Sequence, residues 1–275
     1  MQTNTFKNTM WLGLAYGIRM GFQAAVFVLL ARALGVQSFG VLAAAIAAAN
    51  IIAPIVEYGA YNLSVSDIVA GSPVMQALGV SLVLSVFLLP INLLLLSLIK
   101  VFLIPQVPWT IVFCVGLVVF VGNRMITLAN TIHIAQGELW RNAVVETSNA
   151  VSLVIAVLLF MYFRLSIETW VTFWLFQSFV VGGFALIWVS KRFGKIIWDF
   201  NKIKDRLHKG IFFAINGTAT SIYGDLDKTL LARLSTIEAV GVFTSSHRLI
   251  ALAGVPLAAF IGAIYPKFFI VGNQS

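Results

Sequence analysis

Seven of the ionisable side chains inside long apolar runs of this sequence are candidates for chemistry: Arg19, Glu57, Arg124, Asp225, Asp227, Lys228 and Arg248. In lipid such a group costs at least ~2.5–3.5 kcal/mol, so it usually faces a protein interior or a water-filled cavity. The chemistry open to these residues is binding. A guanidinium is a fixed cation that holds a phosphate in bidentate fashion; a carboxylate can balance it or carry a proton. Arg19 lies nine residues into its run, roughly 14 Å deep at ~1.5 Å per residue, near the expected midplane. It reads either as a cavity cation for a phosphate or acidic sugar, or as half of an ion pair with another helix. Arg124, beside Asn123, either meets an anion at an entrance or snorkels to the interface. Asp225 and Lys228 are three apart and can pair on one helix face. Asp227 points elsewhere, and its expected partner is Arg248. Glu57, near the end of its run, reads as a counter-ion, a proton-coupling carboxylate or a plain interfacial glutamate. Asn216, Gly217, Thr218, Thr220, Ser221, Tyr223 and Gly224 precede the Asp/Lys group and read as a wet wall, or as small residues that let helices approach closely.

Other chemistries lack their residues. His133, His208 and His247 are scattered and give no metal-ligand spacing. The single cysteine, Cys114, cannot form an internal disulfide and leaves the redox compartment open. No Gly-x4-Gly-Lys-Ser/Thr loop occurs for a nucleotide phosphate. No catalytic constellation, metal or cofactor is therefore assigned.

The elements that must position these groups follow from composition. Of 275 residues, 60% are hydrophobic and 10% charged, against about half and a quarter in an ordinary globular domain. A soluble fold of this size still has a large wet exterior. A bilayer core of ~30 Å instead asks for spans of ~20 apolar residues, and helices satisfy every backbone group within the span. Eight spans are expected, at 10–31, 41–61, 77–99, 109–132, 143–163, 169–190, 210–232 and 240–265. The seventh has the weakest hydropathy. Trp109, Trp140, Trp170 and Trp188 fall near span ends, where interfacial aromatic belts occur.

Charge sets the expected orientation. Lys191–Lys209 carries Lys191, Arg192, Lys195, Lys202, Lys204, Arg206 and Lys209. Between two spans it reads as a short basic cytoplasmic loop in contact with anionic headgroups, not as a nucleic-acid site. It follows six spans, so the N-terminus is cytoplasmic too. Lys7, Arg141 and Lys267 then fall on the same side, whereas Arg32, Lys100, Arg164 and Arg233 fall outside.

The chain also resembles itself. Ala31-Arg32 is followed by Gly40-Val41, and Ala232-Arg233 by Gly241-Val242, an offset of 201 residues. Both blocks join a first span to a second. Six intervening spans make the copies parallel, an arrangement found in secondary transporters. The organisation expected is a six-helix bundle over 1–190, a basic loop over 191–209, and the first two helices of an incomplete second bundle over 210–275. The sequence accordingly reads as a C-terminally truncated copy.

Ala31-Arg32-Ala33-Leu34-Gly35-Val36-Gln37-Ser38-Phe39-Gly40 resembles the "AR-LG---FG" signature of the lipid-linked oligosaccharide flippases of polysaccharide export. These belong to the multidrug/oligosaccharidyl-lipid/polysaccharide exporter superfamily. Asp227-Lys228-x-Leu230-Leu231, Val240-Gly241-Val242-Phe243 and His247-Arg248-Leu249 resemble a second motif of that family, with Phe243 where a Tyr is usual and His247 before the Arg. The resemblance implies an all-α, multidrug-exporter-like membrane fold with two bundles facing a central cavity. It implies alternating access that carries an undecaprenyl-pyrophosphate-linked oligosaccharide across the bacterial inner membrane. The products would be surface polysaccharides such as O-antigen or capsule, and polysaccharide polymerase or ligase machinery would be the partner. Arg19, Arg124, Asp227, Lys228 and Arg248 are then candidates for the substrate cavity, and Glu57 and Asp225 for ion coupling. Three other readings remain: a multidrug exporter of the same fold, a polyprenyl-lipid transferase, and an inactive fragment. A transferase needs a metal or base, and Asp67, Glu138, Asp199 and Asp205 are too dispersed to form one acidic cluster.

Overall fold

The computed structural model describes the backbone of residues 3–199 and 201–253, and side chains over 21–199, 202–247 and 250. Every regular element among the described residues is helical. They are α1 (Thr3–Glu57), α2 (Ala60–Val69), α3 (Val74–Phe102), α4 (Trp109–Leu117), a π-helical turn (Val118–Gly122), α5 (Asn123–Ala135), α6 (Leu139–Phe163), α7 (Ile167–Phe193), α8 (Asn201–Leu234) and α9 (Ile237–Ala253).

Among the described residues, five stretches are long and apolar enough to cross a membrane: Gly21–Val69, Val74–Phe102, Trp109–Ala135, Leu139–Phe163 and Ile167–Phe193. The chain is an all-α membrane protein. α1 is the first two expected spans, two helices that meet at a non-helical kink at Gly35. Gly35 has φ 71° and ψ 170°, a conformation open to glycine and closed to residues with a Cβ. The helix that leaves the bend ends at Tyr58 and Gly59, both left-handed at φ 47° and 68°. α4, the π turn and α5 together make the fourth expected span, and π turns recur at functional sites.

α8 has 34 residues, about 51 Å at 1.5 Å per residue, but its polar residues keep it out of the apolar set. It begins nine residues before the expected position 210. The basic stretch is therefore a connector only over its first half; Lys202, Lys204, Arg206 and Lys209 stand on the first turns of α8.

One apolar core joins α1, α3, α4, α6 and α7 around Leu96, Ile104, Val157, Phe160 and Trp170; a second lies between α2, α3, α5, α6 and α7 around Leu78, Leu128, Ala129, Ala185 and Val189. α8 and α9 pack along α1. The end holding residues 191–209 also carries Glu57, Asp67 and Glu138, and is termed the basic end.

At the other end the two copies of the internal repeat meet. A Cβ on Gly40 would collide with the carbonyl oxygen of Ile237 and lie 3.2 Å from the amide nitrogen of Gly241. A Cβ on Gly241 would lie 2.5 Å from the carbonyl oxygen of Val36 and 3.3 Å from the amide nitrogen of Gly40. Val36 and Ile237 are themselves 201 residues apart, as are Gly40 and Gly241. Each contact is thus repeated with the two copies exchanged, the pattern of a local two-fold axis. The bend at Gly35 and the break between α8 and α9 at Ser235-Thr236 stand in the same register.

Candidate functional site

Polar groups gather in four places, each set by helix register. The first is the outer face of α8. Asn216, Thr220, Tyr223 and Asp227 fall at successive four- and three-residue steps and are all exposed. Tyr223 is 92% exposed. The stripe runs ~17 Å along the helix, more than half the ~30 Å hydrocarbon core. Hydrocarbon offers such groups no hydrogen bonds; a wet cavity does. Beside the stripe, Lys228 Nζ donates to Asp225 Oδ1 at 2.5 Å and to the Gly224 carbonyl at 2.7 Å. Lys228 is 9% exposed, so the pair neutralises itself within the wall. Asp227 Oδ1 accepts from the Lys228 backbone N–H at 2.8 Å and leaves its other oxygen on the exposed face. The expected Asp227–Arg248 pair and the Arg19 side chain lie outside the described residues.

The second place is the basic end. Arg124 is 7% exposed. Its Nε donates to Ser85 Oγ at 3.1 Å and its Nη2 to the Glu57 carbonyl at 3.2 Å. Glu57 closes α1, whose last carbonyls lack helical partners and carry a partial negative charge. Arg124 thus caps α1 from α5, an inward placement that excludes snorkelling. Arg206 is 3% exposed. It donates through Nη2 to Asp67 Oδ2 at 2.6 Å and through Nη1 to Ser81 Oγ at 2.6 Å and Ser64 Oγ at 3.2 Å.

Around it the start of α8 is strapped to α2 and α3. Lys202 Nζ reaches Ser72 Oγ at 3.1 Å and Gln76 Oε1 at 3.2 Å. Gln76 Nε2 donates to Asp199 Oδ2 at 2.6 Å, and Tyr58 Oη to the Leu207 carbonyl at 3.0 Å. Lys209 faces outward, and hydrogen bonding to Asp205 at 2.9 Å holds its ammonium above the ordinary lysine value.

The third place is within the first bundle. Asn130 Nδ2 donates to Glu146 Oε1 at 2.7 Å, and Gln177 Nε2 to Asn149 Oδ1 at 2.9 Å and Ser152 Oγ at 2.7 Å. Glu146 is a carboxylate inside the span 143–163 that the sequence reading passed over. Its signal was the same as for Glu57, an acid within an apolar run. The fourth place is a latch among α5, α6 and α7: Glu138 lies 3.3 Å from both Arg141 Nε and Arg192 Nε and 3.5 Å from His133 Nδ1, and the Arg141 guanidinium lies over the Trp140 and Trp188 rings.

Sequence reasoning singled out Arg124 by depth. It read Arg206 as one more loop charge, because its burial depends on α8 starting early. Among the residues it grouped, the structure brings Asp225 and Lys228 together, places Asp227 on an open face, and sets Arg124 and Glu57 side by side. It does not bring Arg124 to the Asp225–Lys228 pair, which lies on α8 far toward the opposite end.

A family model described as polysaccharide biosynthesis protein matches residues 5–270. No curated protein matches the chain. One solved structure, described only as "protein A", superposes with a TM-score of 0.62 at 15% identity, over 98% of this chain and 66% of that one. The chain thus shares a fold with that structure and spans just under two thirds of its length.

Proposed function

The chain belongs to the polysaccharide biosynthesis protein family, and we propose that it moves a polyprenyl-pyrophosphate-linked oligosaccharide across the bacterial inner membrane by alternating access. The observation that carries this reading is the exposed polar stripe of α8. A helix packed along a membrane-spanning helix, with Asn216, Thr220, Tyr223 and Asp227 open on one side, supports a polar wall for a sugar path. Sugar hydroxyls are hydrogen-bonded by amide, phenol and carboxylate groups of this kind.

In this reading the first six spans form one wall of the path, and α8 and α9 begin the second. The N-terminus and the basic end are cytoplasmic, in keeping with the charge bias of residues 191–209. The pyrophosphate enters at the basic end, where Arg124 is the fixed cation, and the sugar follows along α8. Arg19 and Arg248 are further cations of the path. Glu57 is the proposed ion-coupling carboxylate, because it is half-buried and its backbone carbonyl accepts from Arg124.

The test is restoration of surface polysaccharide in a bacterial strain lacking its own flippase. The chain is expected to restore polymer that Asp227→Ala or Tyr223→Ala reduces at equal protein level. Absence of polymer at normal membrane insertion, with export of a cationic dye in its place, would reject the oligosaccharide reading.

A further inference from the structure

The geometry points to Arg206 as a second arm of the Arg124 anion site, held by Asp67 until the pyrophosphate of an incoming lipid takes its place; this rests on the flippase reading and names how its entrance opens.

Ser81 and Ser85 occupy successive turns of α3 and bind the two guanidiniums, Arg206 at 2.6 Å and Arg124 at 3.1 Å. The two hydroxyls stand about one turn apart on α3, ~6 Å along the helix, and each accepts from a buried guanidinium, so one helix gathers both cations at the same end. Arg124 makes no ion pair among the described residues; its partners are a hydroxyl and a carbonyl. Arg206 has one carboxylate, Asp67, and its Nε is buried without a partner. A guanidinium has five N–H donors, and these two have donors to spare in a place where unfilled donors are costly.

The pair is lopsided. The Arg206 side chain is enclosed, whereas that of Asp67 is 35% exposed at the mouth of the basic end. An anion approaching from that side reaches Asp67's place first. Stripping a buried arginine of its only carboxylate is strongly unfavourable. Replacing that carboxylate with a phosphate oxygen avoids the unpaired state and adds bidentate geometry. The exchange has a mechanical consequence. Asp67 lies on α2 and Arg206 on α8, so releasing the pair removes the strongest polar tie between these helices. The ties left are Arg206 to the Ser64 and Ser81 hydroxyls, Lys202 to Ser72 and Gln76, Gln76 to Asp199, and Tyr58 to the Leu207 carbonyl, none of them an ion pair between α2 and α8. Substrate binding thereby loosens the α8 strap that covers the entrance.

The test is inorganic pyrophosphate binding to the purified full chain in phosphatidylcholine nanodiscs, read by thermal shift. Asp67→Asn removes the competing carboxylate and is expected to tighten pyrophosphate binding about tenfold, while Arg206→Gln weakens it by at least about tenfold, the worth of one charge-assisted bond. Lys204→Gln, exposed on the same helix, leaves it unchanged. Since either single variant can fail to fold, the exchanged pair Asp67→Arg with Arg206→Asp keeps an ion pair and is expected to lose pyrophosphate binding. Unchanged or weaker binding by Asp67→Asn, or wild-type binding by the exchanged pair, would overturn the inference. Equal competition by phosphatidylglycerol nanodiscs would overturn it too, in favour of a lipid headgroup. Pyrophosphate binding with the expected pattern but no polysaccharide restored retains this site and rejects the flippase reading; restored polysaccharide with an Arg206-independent affinity does the reverse.

Discussion

A guanidinium cannot shed its charge at neutral pH, so its neighbours must hold it. Arg206 shows what that requires: one carboxylate, two serine hydroxyls and near-complete enclosure. Asp67→Ala leaves this charge uncompensated, although exposure of Asp67 lets water take up part of the loss. The expected destabilisation is about 1–3 kcal/mol, below the ~3–5 kcal/mol of a fully buried pair, read as a lower midpoint of thermal aggregation in detergent. Arg124→Gln removes the cap on the end of α1 and is expected to cost about 1–2 kcal/mol; Arg124→Lys restores part of the stability, since one donor still reaches the Glu57 carbonyl. At this scale the sequence was half legible. Depth within an apolar run picked out Arg124 and Glu57. Glu146 carried the same signal. Arg206 carried none, because a residue in a run of seven cations looks solvated until the helix that buries it is known.

At the scale of elements, the motif Ala31–Gly40 has a mechanical meaning. Gly35 makes the bend in α1, and Gly40, five residues later, lets α9 touch the backbone. Gly35→Ala forces a Cβ into a glycine-only region and is expected to cost about 1–3 kcal/mol. Gly40→Leu has no room at all. It is expected to separate α1 from α9, seen as faster proteolysis near Ser235-Thr236 while the fold of α3 to α7 is kept. Hydropathy located the helices well because lipid selects ~20-residue apolar lengths. It missed the start of α8 for the same reason: Asn201 to Lys209 is too polar to register, and becomes helical by bonding to α2 and α3. It read two spans in α1, and two helices meet there at the Gly35 kink, within the Arg32–Gly40 stretch whose charge and glycines marked the break. The π turn in the fourth span has no hydropathy signature.

At the scale of the molecule, the exchange-symmetric contact of Gly40 with Ile237 and Gly241 with Val36 joins the two copies of the repeated block. The offset of 201 residues was legible; that the copies touch one another was not, because sequence spacing carries no distance. Two kinds of tie then hold α8 and α9 to the first bundle. At the basic end they are polar and exchangeable; at the other, backbone packs against backbone and Gln106 Nε2 donates to the Ala232 carbonyl. The expected motion is a rocking of α8 about the glycine contact, opening at the basic end.

The central claim is that this protein carries a polyprenyl-pyrophosphate-linked oligosaccharide between leaflets. The measurement is translocation of a fluorescent lipid of that class in proteoliposomes holding the chain, followed by quenching from outside. Flipping well above the protein-free rate, lowered by Arg124→Gln and by excess inorganic pyrophosphate, is the predicted result. A rate equal to that of empty liposomes, with the protein folded and inserted, would contradict it.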